Sequence, residues 1–248
     1  MVRAEAAGAG EYPAVPVRRI GHKGADAIAP GNTLESFNAA VELGVDMIEL
    51  DVLPMRDGRL VVAHDYVDAA GRDTLSLAEG LDAFTRPPLG GVEVDCDLKL
   101  PGGEEGLAEA LGERDLFGRA MVSTMEISSL ERLRGMEPRL RLGWTYPKVS
   151  RDWNSKRWAR PGVLAALFAM RRRLPRIAER TLPRLDVQAM WVYWPLVTRR
   201  LVDTARSAGV DVIAWTVDEL ERMHRLRALR VDGICSNDPR LFAELDPG

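Results

Sequence analysis

Strand-like and helix-like runs alternate eight times along the 248 residues, and no glycine-rich phosphate loop follows the first strand. Together these predict an α/β fold, a TIM-type (β/α)8 barrel in a single domain, rather than a doubly wound open sheet. The composition agrees, because 46% hydrophobic and 29% charged residues can build one full core with a solvated surface.

The first predicted strand is Arg18 to His22. A helix over 33–43 follows, with Leu34, Phe37 and Val41 on one face, Asn32 as N-cap, Glu35 at N3 and Gly44 as terminator. Met47 to Val52 is the second strand. After the turn Arg56-Asp57-Gly58, a short strand from Leu60 to His64 pairs back on it as a hairpin. The remaining strands are predicted at 92–98, 120–123, 140–145, 185–190, 210–216 and 233–236. The helices between and after them fall at 105–111, 128–134, 162–180, 196–208, 218–229 and 239–245.

Barrel active sites form at the carboxyl ends of the strands, so residues there carry the chemistry. His22 ends the first strand. Glu49 and Asp51 lie two apart and share a face, while Ile48 and Leu50 point the other way. In the strand at 92–98, Glu93, Asp95 and Asp97 share a face that continues to Lys99, and Val94, Cys96 and Leu98 share the other. Such alternation also describes a strand with one solvated face. Beside Glu49 and Asp51, however, Asp97 two residues before Lys99 fits a metal site bordered by a phosphate-binding cation. His22 and His64 add two groups that move protons near neutral pH. His224, in a charged helical run, reads as a solvated surface residue.

A net charge of −3 and a pI near 5.8 give no reason to expect a nucleic-acid partner. Cys96 and Cys235 sit in apolar runs without disulfide or zinc spacing and read as buried free thiols. The N-terminus lacks an apolar signal core, and no stretch approaches the roughly 18 apolar residues of a membrane span. The expectation is a cytoplasmic protein with a flexible tail at 1–16 and a barrel domain at 17–248.

Ordered motifs carry a family resemblance. They read HKG at His22 to Gly24, PGNT at Pro30 to Thr33, ELDV at Glu49 to Val52 and HD at His64 and Asp65. DLK at Asp97 to Lys99, WTV at Trp215 to Val217 and DGICSNDP at Asp232 to Pro239 complete the series. The chain resembles the glycerophosphodiester phosphodiesterase family across nearly its whole length. The resemblance implies a β/α barrel, a divalent cation (Ca²⁺ or Mg²⁺) held by Glu49, Asp51 and Asp97, and His22 with His64 as the acid and base pair. It further implies that Lys23, Lys99 and Trp215 contact a phosphodiester substrate, small-molecule or lipid, which would be cleaved to glycerol phosphate and an alcohol.

Three positions depart from the family pattern. Lys23 stands where the family has arginine, trading a bidentate fork for a point charge. Gly31 stands where it has glutamate, removing a carboxylate normally near that arginine, and Asp97 replaces a glutamate with a shorter arm. Asp-Leu-Lys, Trp-Thr-Val-Asp and Ser-Asn-Asp-Pro are also similar to the sphingomyelinase D branch of the superfamily, which forms a cyclic phosphate by internal attack. That lyase chemistry, or an inactive phosphate-ester binding protein, is the alternative reading. The interval between His64 and Asp97 is short for the family and leaves little room for its usual insertion, which would open that side of the site.

Residues 148–184 break the alternation. They carry eleven Lys and Arg against two acidic residues, an excess of nine that leaves −12 on the rest of the chain, with Trp153 and Trp158 nearby. Two readings stand: a basic cap over the mouth that contacts an anionic membrane peripherally, or a barrel helix with a solvated basic face.

Overall fold

The computed structural model describes residues 16–148 and 160–245. The expected tail lies outside them except for Pro16, as do Trp153 and Trp158. Strands β1 (Arg18–His22), β2 (Met47–Pro54), β4 (Glu93–Leu98), β5 (Ala120–Thr124) and β6 (Arg141–Tyr146) run parallel and in sequence. They are followed by β7 (Ala189–Tyr193), β8 (Asp211–Trp215) and β9 (Gly233–Ser236). Because β1 pairs in parallel with both β2 and β9, the eight strands close into a TIM-type barrel. The short β3 (Leu60–Val62) hangs antiparallel on the end of β2, with Val52 opposite Val62, as the hairpin pattern predicts.

Strand periodicity sorts the side chains into two apolar layers. Ile48, Leu50 and Val52 of β2 and Val94, Cys96 and Leu98 of β4 point outward, into the layer shared with the helices. Phe37 of α1 (Leu34–Glu42) is fully buried there and packs against Phe84 at 5.8 Å between ring centroids. The barrel interior holds a smaller plug of Ile20, Met47, Met121, Ala189, Trp191, Ile213 and Cys235. Gly143 on β6 makes room for it, because a Cβ there would lie 2.7 Å from Trp191 Nε1. Both cysteines are buried and free, as expected.

The charged face of β4 also points inward, which excludes the solvated-strand reading. Glu93 pairs with Arg18 and Arg141 at the bottom of the barrel, Asp95 is fully buried midway, and Asp97 is buried at the top. Buried carboxylates are costly unless paired or hydrogen-bonded, so this face is a constraint on the barrel rather than a source of stability.

Several boundaries differ from expectation for local reasons. The seventh strand begins at Ala189 and not at Leu185, because the helix α6 (Arg160–Leu185) runs on to Leu185 and Asp186 then turns the chain at φ +47°. The shift carries Trp191 into the barrel. Asn32 is not the cap of α1; Thr33 is, its hydroxyl accepting from the N–H of Ser36, while Asn32 adopts φ +61° and turns inward. Between β3 and β4 lie two short helices absent from the sequence reading, α2 (Tyr66–Gly71) and α3 (Leu77–Ala83). Asp65 caps the first, and Ser76 with Glu79 forms a capping box on the second, a Ser-x-x-Glu signal present in the sequence. The later helices are α4 (Glu104–Glu113), α5 (Ile127–Met136), α7 (Arg199–Ser207), α8 (Leu220–Ala228) and α9 (Leu241–Leu245). No helix among the described residues is long and apolar enough to cross a membrane.

Candidate active site

Parallel register assembles the site. His22 pairs with Glu49 across β1 and β2, and Asp51 pairs with Asp97 across β2 and β4, all at the carboxyl end of the barrel. Oxygens of Glu49, Asp51 and Asp97 lie within 4.8 Å of one another and all three residues are buried. Lys99 answers them with one ammonium, which rests against Asp51 Oδ1 and sits 2.6 Å from Asp97 Oδ2. One positive charge against three carboxylates leaves the cluster short of cations. Burial, followed by the charges of Asp51 and Asp97, pushes the Glu49 carboxyl well above its ordinary range. Burial works the same way on Asp51, but Lys99, His22 and His64 override it and hold that carboxyl low. Burial also opposes the charge on Lys99, and Asp51 and Asp97 outweigh it. Three hard oxygen donors, all buried and close together, fit a divalent cation of the Ca²⁺ or Mg²⁺ kind.

The first loop after β1 positions two of these carboxylates. Lys23, at φ +51°, donates its backbone N–H to Glu49 Oε2 at 2.9 Å. Asn32 grips Asp51 twice, donating from Nδ2 to Asp51 Oδ2 at 2.7 Å and accepting the Asp51 N–H at 3.1 Å. Gly24, at φ +88°, lets the loop close on α1, since a Cβ there would stand 2.5 Å from Ser36 Oγ.

The Lys23 side chain goes elsewhere than the sequence suggests. Its ammonium lies 2.5 Å from Asp26 Oδ2 and is not among the residues lining the cavity. Asp26 Oδ1 accepts the N–H of Gly31 at 2.8 Å, and a Cβ on Gly31 would lie 2.5 Å from that oxygen. The carboxylate of Asp26 thus fills the space that a side chain at position 31 would claim.

His22 is oriented from the far end of the chain. Its Nδ1 is 2.7 Å from Asn237 Oδ1, while Asn237 donates from Nδ2 to Asp218 Oδ2 at 2.7 Å and from its backbone to Asp218 Oδ1 at 2.9 Å. A carboxylate only accepts, so the amide oxygen faces the ring and Nδ1 carries the hydrogen. In the neutral ring Nε2 is then bare, 3.9 Å from Glu49 Oε2. Burial lowers the His22 pKa from 6.5, outweighing Asp51 and Asn237, so the ring is neutral at pH 7. His64 lies on the rim, more than half exposed, with Nδ1 3.1 Å from Asp65 Oδ2.

One cavity of 260 Å³ gathers His22, Glu49, His64, Asp97, Lys99 and Trp215, with Asp51 beneath them. Sequence reasoning missed Ser123, Thr145 and Trp191, which also line it. Ser123 Oγ donates to Asp95 Oδ2 at 2.7 Å. Thr145 Oγ1 and the indole nitrogens of Trp191 and Trp215 are buried without a hydrogen-bond partner among the described residues. His224 is on an exposed face of α8 away from this cavity, as expected.

The model of the glycerophosphoryl diester phosphodiesterase family matches residues 22–83 and 106–241, which include His22, Glu49, Asp51, His64 and Trp215. The chain belongs to that family. A glycerophosphodiester phosphodiesterase of Caldanaerobacter subterraneus is 29% identical over 259 residues, covering 91% of this chain and 96% of the relative. A protein of Bacillus subtilis named as a glycerophosphodiester phosphodiesterase is 22% identical and covers 92% of this chain and 86% of its own. Among solved structures, a glycerophosphoryl diester phosphodiesterase from Silicibacter pomeroyi superposes with a TM-score of 0.74 at 20% identity, over 94% of both chains. An Oleispira antarctica phosphodiesterase, solved with the product sn-glycerol-3-phosphate, superposes at 0.69 and 18% identity, over 93% of this chain and 97% of that one. The protein is accordingly a phosphoric diester hydrolase of this family.

Two outcomes follow from the loop. Asn32→Ala should weaken binding of the divalent cation about 10- to 100-fold, read by calorimetry, because Asp51 loses both of its orienting bonds. Gly31→Glu alone should depress turnover by a similar factor of about 10 to 100, since its carboxylate would meet that of Asp26. Adding Asp26→Ala to Gly31→Glu should recover most of the loss, and kinetics that worsen additively instead would show that the two positions do not share one space.

Proposed function

We propose that the protein is a metal-dependent phosphodiesterase that cleaves glycerophosphodiesters to glycerol phosphate and an alcohol, with His22 and His64 as base and acid. The observation that carries this reading is the convergence of a neutral His22, a second histidine and three buried carboxylates with one ammonium in a single cavity. The family assignment and the glycerol phosphate bound by the Oleispira relative agree with the substrate class. A divalent cation, Ca²⁺ or Mg²⁺, held by Glu49, Asp51 and Asp97 would supply positive charge to the non-bridging oxygens and to the alkoxide that forms.

The chain's own groups divide the rest of the work. His22 accepts the proton of the attacking water at Nε2, which its Asn237–Asp218 support leaves free, as the water oxygen bonds to phosphorus and the bond to the alcohol oxygen breaks. His64, on the open rim, donates to the departing alkoxide, whose alcohol then leaves toward solvent. Lys99 adds charge to the phosphate, and Lys23, held by Asp26 just outside the cavity, extends the positive edge that an incoming diester meets. Trp215 and Trp191 line the cavity and present an apolar wall to the substrate. We place the enzyme in the cytoplasm or at the cytoplasmic face of a membrane, acting on small-molecule or lipid diesters.

Phosphorus NMR of reactions with glycerophosphodiesters and lysophospholipids, with and without chelator, tests this reading. Glycerol phosphate should accumulate and chelator should stop it; a cyclic phosphate as the end product would assign the lyase chemistry, and no turnover of any diester a binding protein. His22→Ala and His64→Ala should each lower kcat by about 10²- to 10⁴-fold. Because the two act as a unit, the double variant should fall short of the product of the single losses.

A further inference from the structure

Helix α6 is more than twice as long as the other barrel helices it stands beside, at 26 residues against 10 in α5 and nine in α7. Its course is fixed by the barrel. It descends from the mouth side after β6 and delivers the chain to the foot of β7, while α7 starts at the mouth after β7. Among its described side chains, Leu174, Ala178, Leu182 and Leu185 are buried, with Leu167 and Met170 partly buried before them. Arg171 Nη2 reaches the carbonyl of Val197 at 3.4 Å, which marks the level of the mouth on this side. From Arg171 back to Arg160 the helix continues for roughly 16 Å on the mouth side, at about 1.5 Å per residue.

The composition of this extension is unlike that of a solvated helix. Gly162 to Met170 reads GVLAALFAM, nine residues without a charge. Leu167 and Met170 lean on the core, whereas Gly162, Ala165, Ala166 and Phe168 face outward, Phe168 with 63% of its surface exposed. Directly below comes a belt of arginines. Arg171, Arg172, Arg173 and Arg176 line a groove of 820 Å³ together with Arg200 and Thr198 at the start of α7, and no acidic side chain is among the described residues that line it. Arg172 lies 5.7 Å from the Phe168 ring centroid, so the aromatic ring and the charged belt form one surface.

An outward apolar tip above a cationic belt is the arrangement that an anionic bilayer complements. The tip enters the acyl boundary, and the guanidinium groups remain at the level of the lipid phosphates on their long stems. The same face of the barrel exposes Ile28, Leu34, Val67, Leu100 and Ile127 in the segments that follow the strands, Val67 at 82%. A membrane contacting α6 at this height would thus meet the rim of the catalytic cavity also. Tyr66 sits beside His64 on that rim, partly exposed.

We infer that the mouth-side half of α6, through the exposed Phe168 and the adjoining Arg171, Arg172, Arg173, Arg176 and Arg200, docks the protein on an anionic phospholipid surface. The inference stands apart from the catalytic reading, because vesicle binding is measured without turnover.

The test is cosedimentation of the full chain with vesicles of phosphatidylglycerol and phosphatidylcholine mixed, and of phosphatidylcholine alone. Binding should require the anionic lipid and should weaken steeply between 50 mM and 500 mM salt, given a screening length of about 10 Å at 0.1 M. Arg171→Gln, Arg172→Gln and Arg173→Gln together should reduce the affinity by about tenfold or more. Phe168→Ser should reduce it as well, and both variants should keep the wild-type melting curve and the wild-type rate on a soluble glycerophosphodiester. Absence of binding to anionic vesicles, or binding unchanged by both variants, would overturn the inference. So would light scattering that finds a dimer broken by Phe168→Ser with no vesicle binding in the wild type, because the tip would then be covered by a second copy of the chain.

Discussion

Three carboxylates buried at the top of a barrel, with one ammonium among them, are the constraint on which the site depends. Glu49, Asp51 and Asp97 could be separated in many ways; the parallel register instead sets Asp51 opposite Asp97 and Glu49 opposite His22. Burying charge so closely is expensive, and the surrounding structure is arranged around that cost. Lys99 lies across two of the carboxylates, a backbone N–H meets Glu49, and Asn32 holds Asp51 at both its side chain and its backbone. What remains is a deficit of positive charge in a cavity that has His64 on its exposed rim. That deficit suits a divalent cation, whose charge could in turn meet a substrate's phosphate.

The ordered motifs and strand periodicity made the core of this site legible. His22, Glu49, Asp51, Asp97 and Lys99 are each fixed by a strand end and an alternating face, and the chain places all five where a barrel mouth requires. The supporting residues were not legible, because their roles depend on contacts between distant segments. Asn237 meets His22 across 215 positions, and Asp218 matters only because Asn237 sits on it. Asn32 resembled a helix cap, the ordinary use of such a residue before a helical run; its positive φ, which Asn tolerates, turned it toward Asp51 and left capping to Thr33. The start of β7 escaped for a different reason. Leu185, Val187 and Ala189 alternate with Asp186 and Gln188 in a strand-like pattern that begins inside α6, so periodicity alone could not show where the helix ended.

The two substitutions that set this chain apart from its family, Lys23 and Gly31, form a single local solution with Asp26. Replacing a forked guanidinium by an ammonium removes the need for a bidentate partner, and a carboxylate three residues along the same loop can reach it. Gly31 then follows from space, since Asp26 already occupies the volume its side chain would take.

Calorimetric titration of the metal-free protein with Ca²⁺ and Mg²⁺, repeated in buffers of different ionisation enthalpy, tests the central claim most directly. Burial and the charges of Asp51 and Asp97 push the Glu49 carboxyl well above its ordinary range, so a cation bound by the three carboxylates competes with a proton there. Binding should therefore release protons and tighten as pH rises toward the raised Glu49 pKa, and Glu49→Gln should abolish the proton release and weaken the affinity. Failure of both ions to bind, or binding that releases no proton and is unchanged by Glu49→Gln, would contradict the account.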